Sequence, residues 1–161
     1  MNREKTCCFT GHRIIRNCDR EVIAERLEFI IESLIEKGVT DFCAGGALGF
    51  DTVAAEAVLK IRMRNPKVRL ILMLPCKDQA DKWSAENIRK YEDIKASADE
   101  VNFTSQIYTR GCMHARNRAL VDRSSYCICY MYKNSGGTYY TVNYARNKNL
   151  AIYNVCDLFN A

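Results

Sequence analysis

Four short polar stretches of this chain carry residue types that can hold a phosphate group. TGHR, residues 10–13, combines Thr10 and His12 as hydrogen-bonding groups with Arg13, which can pair bidentately with phosphate. Gly11 between them lets backbone approach a ligand without a Cβ in the way. The same tetrapeptide also reads as a plain strand-ending turn with a solvated arginine. AGGALGFD, residues 44–51, sets Gly45, Gly46 and Gly49 ahead of a helical pattern. Free amides and the helix dipole then favour an anion. Asp51 at the end of that turn either accepts from a ribose hydroxyl or caps the helix. In residues 108–122 the triplet ARN brings Arg116 and Asn117 together, a pair suited to phosphate and carbonyl groups, while Arg118 and Arg123 read as a solvated basic face. Finally Ser135, Gly136, Gly137 and Thr138 offer amides and hydroxyls at the start of another helix, a second anion site.

Other chemistries find less support. The glycine spacing is neither the GxGxxG dinucleotide fingerprint nor a GxxxxGK[ST] loop, and no GxSxG elbow occurs. Cys112 and His114 are close in sequence, but a thiol–imidazole pair needs spatial adjacency and an orienting third group. Nine cysteines with no CxxC spacing and only two histidines give no metal-ligand set, so no metal is expected. Cys7, Cys8, Cys43, Cys127 and Cys129 lie in apolar, strand-like runs, where a reduced cysteine acts as a small hydrophobe. Trp83 and Tyr91 read as packing residues, with Trp83 near enough to its helix start to reach a site edge.

These stretches must be positioned by something, and the hydrophobic pattern says what. Short apolar runs at residues 6–10, 41–46, 68–74, 100–104, 126–131 and 150–155 alternate with helical patterns. Asp19 is placed to cap a first helix buried through Ile23, Leu27, Ile30, Ile31 and Leu34 and stopped by Gly38. A second helix runs from near Asp51 to before Pro66, burying Ala54, Ala57, Val58 and Ile61. A third spans about 78–98, a fourth about 112–122 and a fifth about 138–147. Runs apolar on both faces belong to parallel sheets covered on both sides. The expectation is an α/β fold: a Rossmann-like, doubly wound, mainly parallel sheet with helices on both faces, one domain over residues 1–161. In such a sheet ligands bind beyond the carboxyl ends of the strands, which is where the four polar stretches fall.

Composition is that of an ordinary soluble globular domain, 48% hydrophobic and 27% charged. A net charge of +5, spread along the chain, gives weak support for nucleic-acid binding. No apolar run approaches the ~20 residues of a membrane helix, and residues 1–13 lack the apolar core of a signal peptide. Reduced cysteines and a cytoplasmic location, with no membrane partner, are the expectation.

FTGHR, AGGALGFDTVAAEAVL, the series Gln79, Trp83, Tyr91, Ala98, Asp99 and Val101, RNRALVDRSS and SGGTYYTVNYA occur in order over residues 7–155. Together they resemble the YpsA-type branch of the SLOG superfamily, which also includes the LOG nucleoside-monophosphate phosphoribohydrolases and the DNA-processing protein DprA. The resemblance implies a Rossmann-like fold whose glycine turns hold the phosphate of a nucleotide or polynucleotide. It also implies a homo-oligomer, a dimer by preference. The turn from Gly45 to Asp51 is similar to the glycine turns of both LOG and DprA. Asn117 and Arg116 match the Arg-Asn pair of DprA, and Arg116 matches the place of a catalytic arginine in LOG. Gly136 and Gly137 match the glycines of LOG's PGGxGTxEE motif, but Ser135 stands where LOG has proline, and Asn143 and Tyr144 stand where LOG has two glutamates.

Cleaving an N-glycosidic bond passes through an oxocarbenium-like state that a nearby carboxylate stabilises, so that exchange points to binding rather than cleavage. The expected function is a sensor or regulatory protein binding an adenine nucleotide, NAD or an ADP-ribose-like molecule, requiring no cofactor beyond that ligand. A LOG-like phosphoribohydrolase, using Arg116 with Glu56 or Asp51, is the alternative. DprA-like binding of single-stranded DNA is the third reading.

Overall fold

A computed structural model of the chain describes residues 2–157; residue 1 and residues 158–161 of the expected 1–161 domain lie outside the described residues. Six strands form one sheet: β1 (Thr6–Gly11), β2 (Asp41–Ala44), β3 (Arg69–Leu74), β4 (Glu100–Phe103), β5 (Tyr126–Tyr130) and β6 (Ala151–Asn154). Their order is β4-β3-β2-β1-β5-β6, and every pairing is parallel. The helices are α1 (Ile23–Glu36), α2 (Phe50–Arg64), α3 (Ala85–Ser97), α4 (Cys112–Asp122) and α5 (Gly136–Asn147). This is the expected Rossmann-like architecture.

The strands explain why the sequence runs were apolar on both faces. Alternate residues of each strand face opposite layers. Phe9, Phe42, Leu70, Leu72, Ile128 and Tyr130 join the core beneath α1, α2 and α3. Cys8, Cys43, Ile71, Met73, Cys127 and Cys129 join a second core beneath α4 and α5. The cysteines are thus core hydrophobes, as expected. All nine are free thiols, and burial pushes Cys7 and Cys43 well up and Cys76 and Cys129 up to about 12, which removes them as nucleophiles. Among the described residues no metal-holding cluster of His, Cys, Asp or Glu occurs, and no helix is long and apolar enough to cross a membrane.

Two helix starts differ from the sequence expectation. Asp19 does not cap α1: it sits in a 3-10 turn, Asn17–Asp19, and its buried carboxylate faces the sheet, leaving α1 to begin at Ile23 without a side-chain cap. A partner that is distant in sequence, Tyr130 of β5, claims it: the Tyr130 hydroxyl donates to Asp19 Oδ2 at 2.6 Å. The third helix begins at Ala85 rather than near residue 78, because Ser84 accepts from the Asn87 amide at 3.2 Å and so fixes the first turn.

Candidate functional site

The chain steps outward from β1 through β2 and β3 to β4, then returns to the other side of β1 for β5 and β6. Order therefore reverses between β1 and β5, and the loops leaving those strands diverge to open a crevice. A cleft of 430 Å³ lies there. Its walls are the segment after β1, the first turns of α4 and α5, and the start of α2.

The structure brings most of the candidate residues into this one space. Thr10, Gly11, His12 and Arg13 line it from β1, and Asp51 from α2. Arg116 and Asn117 line it from α4, and Ser135, Gly136, Gly137 and Thr138 from the start of α5. Gly136 opens α5, so the unpaired amides of that first turn face a site that also carries Arg13, Arg116 and Lys133. Cationic walls and free amides are the ordinary components of a phosphate cradle.

Gly45, Gly46 and Gly49 lie behind the cleft rather than on it. Their work is close packing. Gly45 is buried under Arg116, whose Nη1 donates to the Gly45 carbonyl; a Cβ at Gly45 would meet the guanidinium. Gly49 has φ +80°, and a Cβ there would run into the Arg13 backbone. From this turn only Ala47 reaches the cleft wall.

Asp51 does not take the cap position of α2. It is the second residue of α2, behind Gly49 in the cap position. Its Oδ2 accepts from the Ala47 amide at 3.2 Å, which ties the glycine turn to the helix. Its Oδ1 is buried and has no hydrogen-bond partner, on a residue that lines the cleft. Burial raises the Asp51 pKa, against the opposing pull of the Arg116 charge and the Ala47 amide. Arg116 is itself 5% exposed, donating Nε to Asn117 Oδ1 at 2.7 Å, and burial lowers its pKa while Asp51 works the other way. It braces α4 against the β2 turn while presenting charge to the cleft.

His12 has the same incompleteness. Its ring packs edge-on to Tyr132 at 4.5 Å, and its Nε2 is buried without a partner. Burial, then the nearby Lys133 charge, lowers the His12 pKa, so the ring is a neutral imidazole at pH 7. One nitrogen is engaged through the Lys133 backbone, which leaves Nε2 as a bare acceptor.

Glu56 does not reach this cleft. It lies in a neighbouring one, exposed and paired with Lys90 at 3.5 Å, so Asp51 is the carboxylate on the main cleft wall. Cys112 and His114 also stay apart from each other's chemistry: His114 stacks edge-on with Tyr140 at 4.3 Å. Sequence reading missed Tyr132, Lys133, Ile14, Met113 and Ala47, all of which line the cleft. For Tyr132 and Lys133 the signal was present, since both follow β5 directly, at the edge where ligands bind in such sheets.

The family model described as YspA SLOG family (YpsA) matches residues 10–157, which covers every wall of this cleft. The chain belongs to the YpsA SLOG family. The UPF0398 protein BH1768 of Halalkalibacterium halodurans is 34% identical over 104 residues, covering 63% of this chain and 55% of that relative. The SPbeta prophage-derived protein YoqJ of Bacillus subtilis is 27% identical over 137 residues, covering 77% of this chain and 80% of that one. This YpsA-family chain thus spans about half the length of the first relative and most of the second. Among solved structures its fold is similar to DNA processing protein A from Helicobacter pylori, described for its single-stranded DNA binding mode: TM-score 0.65, 18% identity, 91% of this chain and 63% of that one. DprA from Streptococcus pneumoniae gives TM-score 0.64 at 17% identity, over 91% of this chain and 48% of that one. At such identities the likeness is one of fold.

Proposed function

We propose that this YpsA-family protein binds a nucleotide, of the adenine nucleotide, NAD or ADP-ribose type, in the cleft between β1 and β5, and holds it without cleaving it. The observation that carries this reading is the pairing of opposites in one cleft. Arg13, Lys133 and the α5 amides favour an anion, while buried Asp51 Oδ1 and His12 Nε2 are acceptors with nothing to accept. Buried polar atoms are nearly always partnered, so two orphans on residues that line one cleft call for a ligand that supplies donors. A phosphorylated ribose has both features: an anionic end and a row of hydroxyl donors. Cleavage finds little support, since Glu56 is outside the cleft and Asn143 bonds Arg146 rather than the site.

A thermal-shift series with AMP, NAD and ADP-ribose tests binding. A ligand at 100 times its Kd should add about 2.7 kcal/mol of stability, so no shift for any of them at millimolar concentration would defeat the proposal. Chromatography of the same mixtures after many hours should show intact nucleotide; release of free base would transfer the reading to a phosphoribohydrolase using Asp51.

Single-stranded DNA binding is the second reading, and one surface favours it. Beside the start of α5, His114 stacks on Tyr140 and Arg118 Nη1 donates to the Tyr140 hydroxyl at 3.0 Å, with Tyr139 partly exposed next to them. Aromatic rings interleaved with cations suit unpaired bases and their backbone. DNA binding should weaken steeply with salt, and absence of binding at low salt excludes it. A homo-oligomer, proposed as a dimer, is checked by light scattering.

A further inference from the structure

A second cleft, of 450 Å³, opens on the far side of Arg13 from the first. Arg13 and Ile14 line both clefts. The partition between them is the close approach of the Gly49 backbone to the Arg13 backbone, fixed further by the Phe50 amide donating to the His12 carbonyl at 3.3 Å. Ile14, 73% exposed, stands at this shared lip.

The sheet sets out what lies along this edge. The α5 start follows β5, His12 and Arg13 follow β1, Asp51 opens α2 after β2, and Trp83 precedes α3 after β3. Because β5, β1, β2 and β3 are adjacent in the sheet, these groups are laid out in that order across three strand spacings, ~14 Å. The chemistry changes along the row. Amides and cations come first, then the orphan acceptor of His12 with the Arg13 lip beside it, then that of Asp51, and last an aromatic wall. Trp83 is half-buried there and held edge-on against Tyr91, with ring centroids 5.3 Å apart at 79°. Ile15, Leu48 and Val53 add apolar surface, and Arg20, Thr52, Asn87 and the Glu56–Lys90 ion pair make the rest of the lining polar.

We propose that the second cleft is a nucleobase subsite for the same ligand, whose phosphate lies at the start of α5, whose ribose meets Asp51 and His12, and whose base crosses the Arg13 lip to rest against Trp83. This rests on the nucleotide reading above and deepens it. An anion site alone would need neither an aromatic wall nor a second cleft sharing the Arg13 and Ile14 lip. A planar ring offers the π-face that such a wall recognises, while Asn87 gives a polar edge to the same space.

Trp83 is the one tryptophan in the chain, so its fluorescence reports on this cleft alone. The wild-type protein is titrated with inorganic phosphate, ribose 5-phosphate and AMP, by fluorescence and by calorimetry. AMP is expected to change Trp83 emission and to bind at least about tenfold tighter than ribose 5-phosphate, which leaves the emission unchanged. Asn87→Tyr, at an exposed position whose backbone amide alone makes the helix cap, fills the cleft from outside and should bring AMP down to the affinity of ribose 5-phosphate. Equal affinities for the two ligands, an emission change of the same size with ribose 5-phosphate, or an Asn87→Tyr variant that binds AMP as wild type does would each overturn the base subsite while leaving the phosphate cleft standing. If no probe binds by calorimetry, the nucleotide reading falls and the subsite with it.

Discussion

Asp19 and Asp51 are both buried aspartates near the carboxyl end of the same sheet, and their surroundings are opposite in kind. Asp19 is fully engaged: Arg16 Nε donates at 2.9 Å, the Tyr130 hydroxyl at 2.6 Å, and Arg26 lies 3.7 Å away. Burial alone would raise its pKa, but the Tyr130 and Arg16 bonds prevail and hold it below the usual carboxylate range. Asp51 receives one long bond from Ala47, keeps a bare oxygen, and has its pKa raised. The difference separates a polar group whose bonds build the fold from one whose bonding the fold leaves unfinished, as the proposed nucleotide site requires. Asp19 fastens the segment between β1 and α1 to β5; Asp51 carries an uncompensated cost that a bound donor would relieve.

The sharpest way to break this comparison is to remove the engaged carboxylate. Asp19→Ala takes from the Tyr130 hydroxyl and from Arg16 Nε the acceptor they share, and should destabilise by about 3 kcal/mol. For a chain of this length that is a fall of roughly 6–12 °C in Tm, read by thermal unfolding. A loss below a few tenths of a kcal/mol would mean the network is ornamental. Next in size, Gly49→Val puts a branched side chain where φ is +80° and where the Arg13 backbone already stands. About 2–3 kcal/mol is expected, measured by urea titration, together with loss of nucleotide binding, since the partition between the two clefts cannot keep its shape.

Asp51→Asn should move stability the other way. A raised folded-state pKa means that the carboxylate's contribution is intact below its unfolded value, ~3.9, and is lost as pH rises through the folded value. At pH 7 the wild type therefore bears the cost and the amide does not. The variant should be no less stable than wild type at neutral pH, and its advantage should shrink toward pH 4, as followed by denaturant midpoints. Ligand affinity is expected to fall about tenfold, some 1.4 kcal/mol, because an acceptor for ribose is weakened. A destabilised variant that binds AMP as before would reverse the roles assigned to the two aspartates.

How far the sequence foretold this contrast depends on the kind of information each residue carries. The strands and the turns that follow them were legible because apolar runs and glycines act locally: TGHR, ARN and SGGT all proved to face one cleft. Asp19 was misread as a helix cap because its true partner, Tyr130, is 111 residues away, and no local pattern marks such a bond. The glycines of AGGALGFD looked like a phosphate turn, yet Gly45 and Gly49 are small so that Arg116 and the Arg13 backbone can sit against them. Local geometry is the same in both uses, and only the packed neighbour decides between them. Glu56 was offered as a substitute carboxylate; its helix register turns it into the adjoining cleft and toward Lys90.

The smallest effect concerns His12, the other orphan acceptor. Burial and the Lys133 charge lower its pKa in the folded protein. As pH falls through ~6.5 the unfolded chain takes up a proton that the folded ring refuses, so stability must decline with falling pH in that range. Between about pH 5 and pH 7 the lowered carboxylates Asp19 and Asp99 are silent, since they lose their contribution only nearer pH 4, while the raised Asp51 works in the opposite sense, so the His12 term is the difference between wild type and His12→Asn. Urea midpoints of His12→Asn, which cannot titrate, should gain on those of wild type as pH falls across the window. Saturating AMP should protect the native state less at pH 5.5 than at pH 7.5 if Nε2 accepts from the ligand, since protonating that nitrogen removes its lone pair. A difference between the two proteins that does not change with pH would mean that His12 takes its proton freely in the folded state, and the second bare acceptor of the cleft would be no acceptor at all.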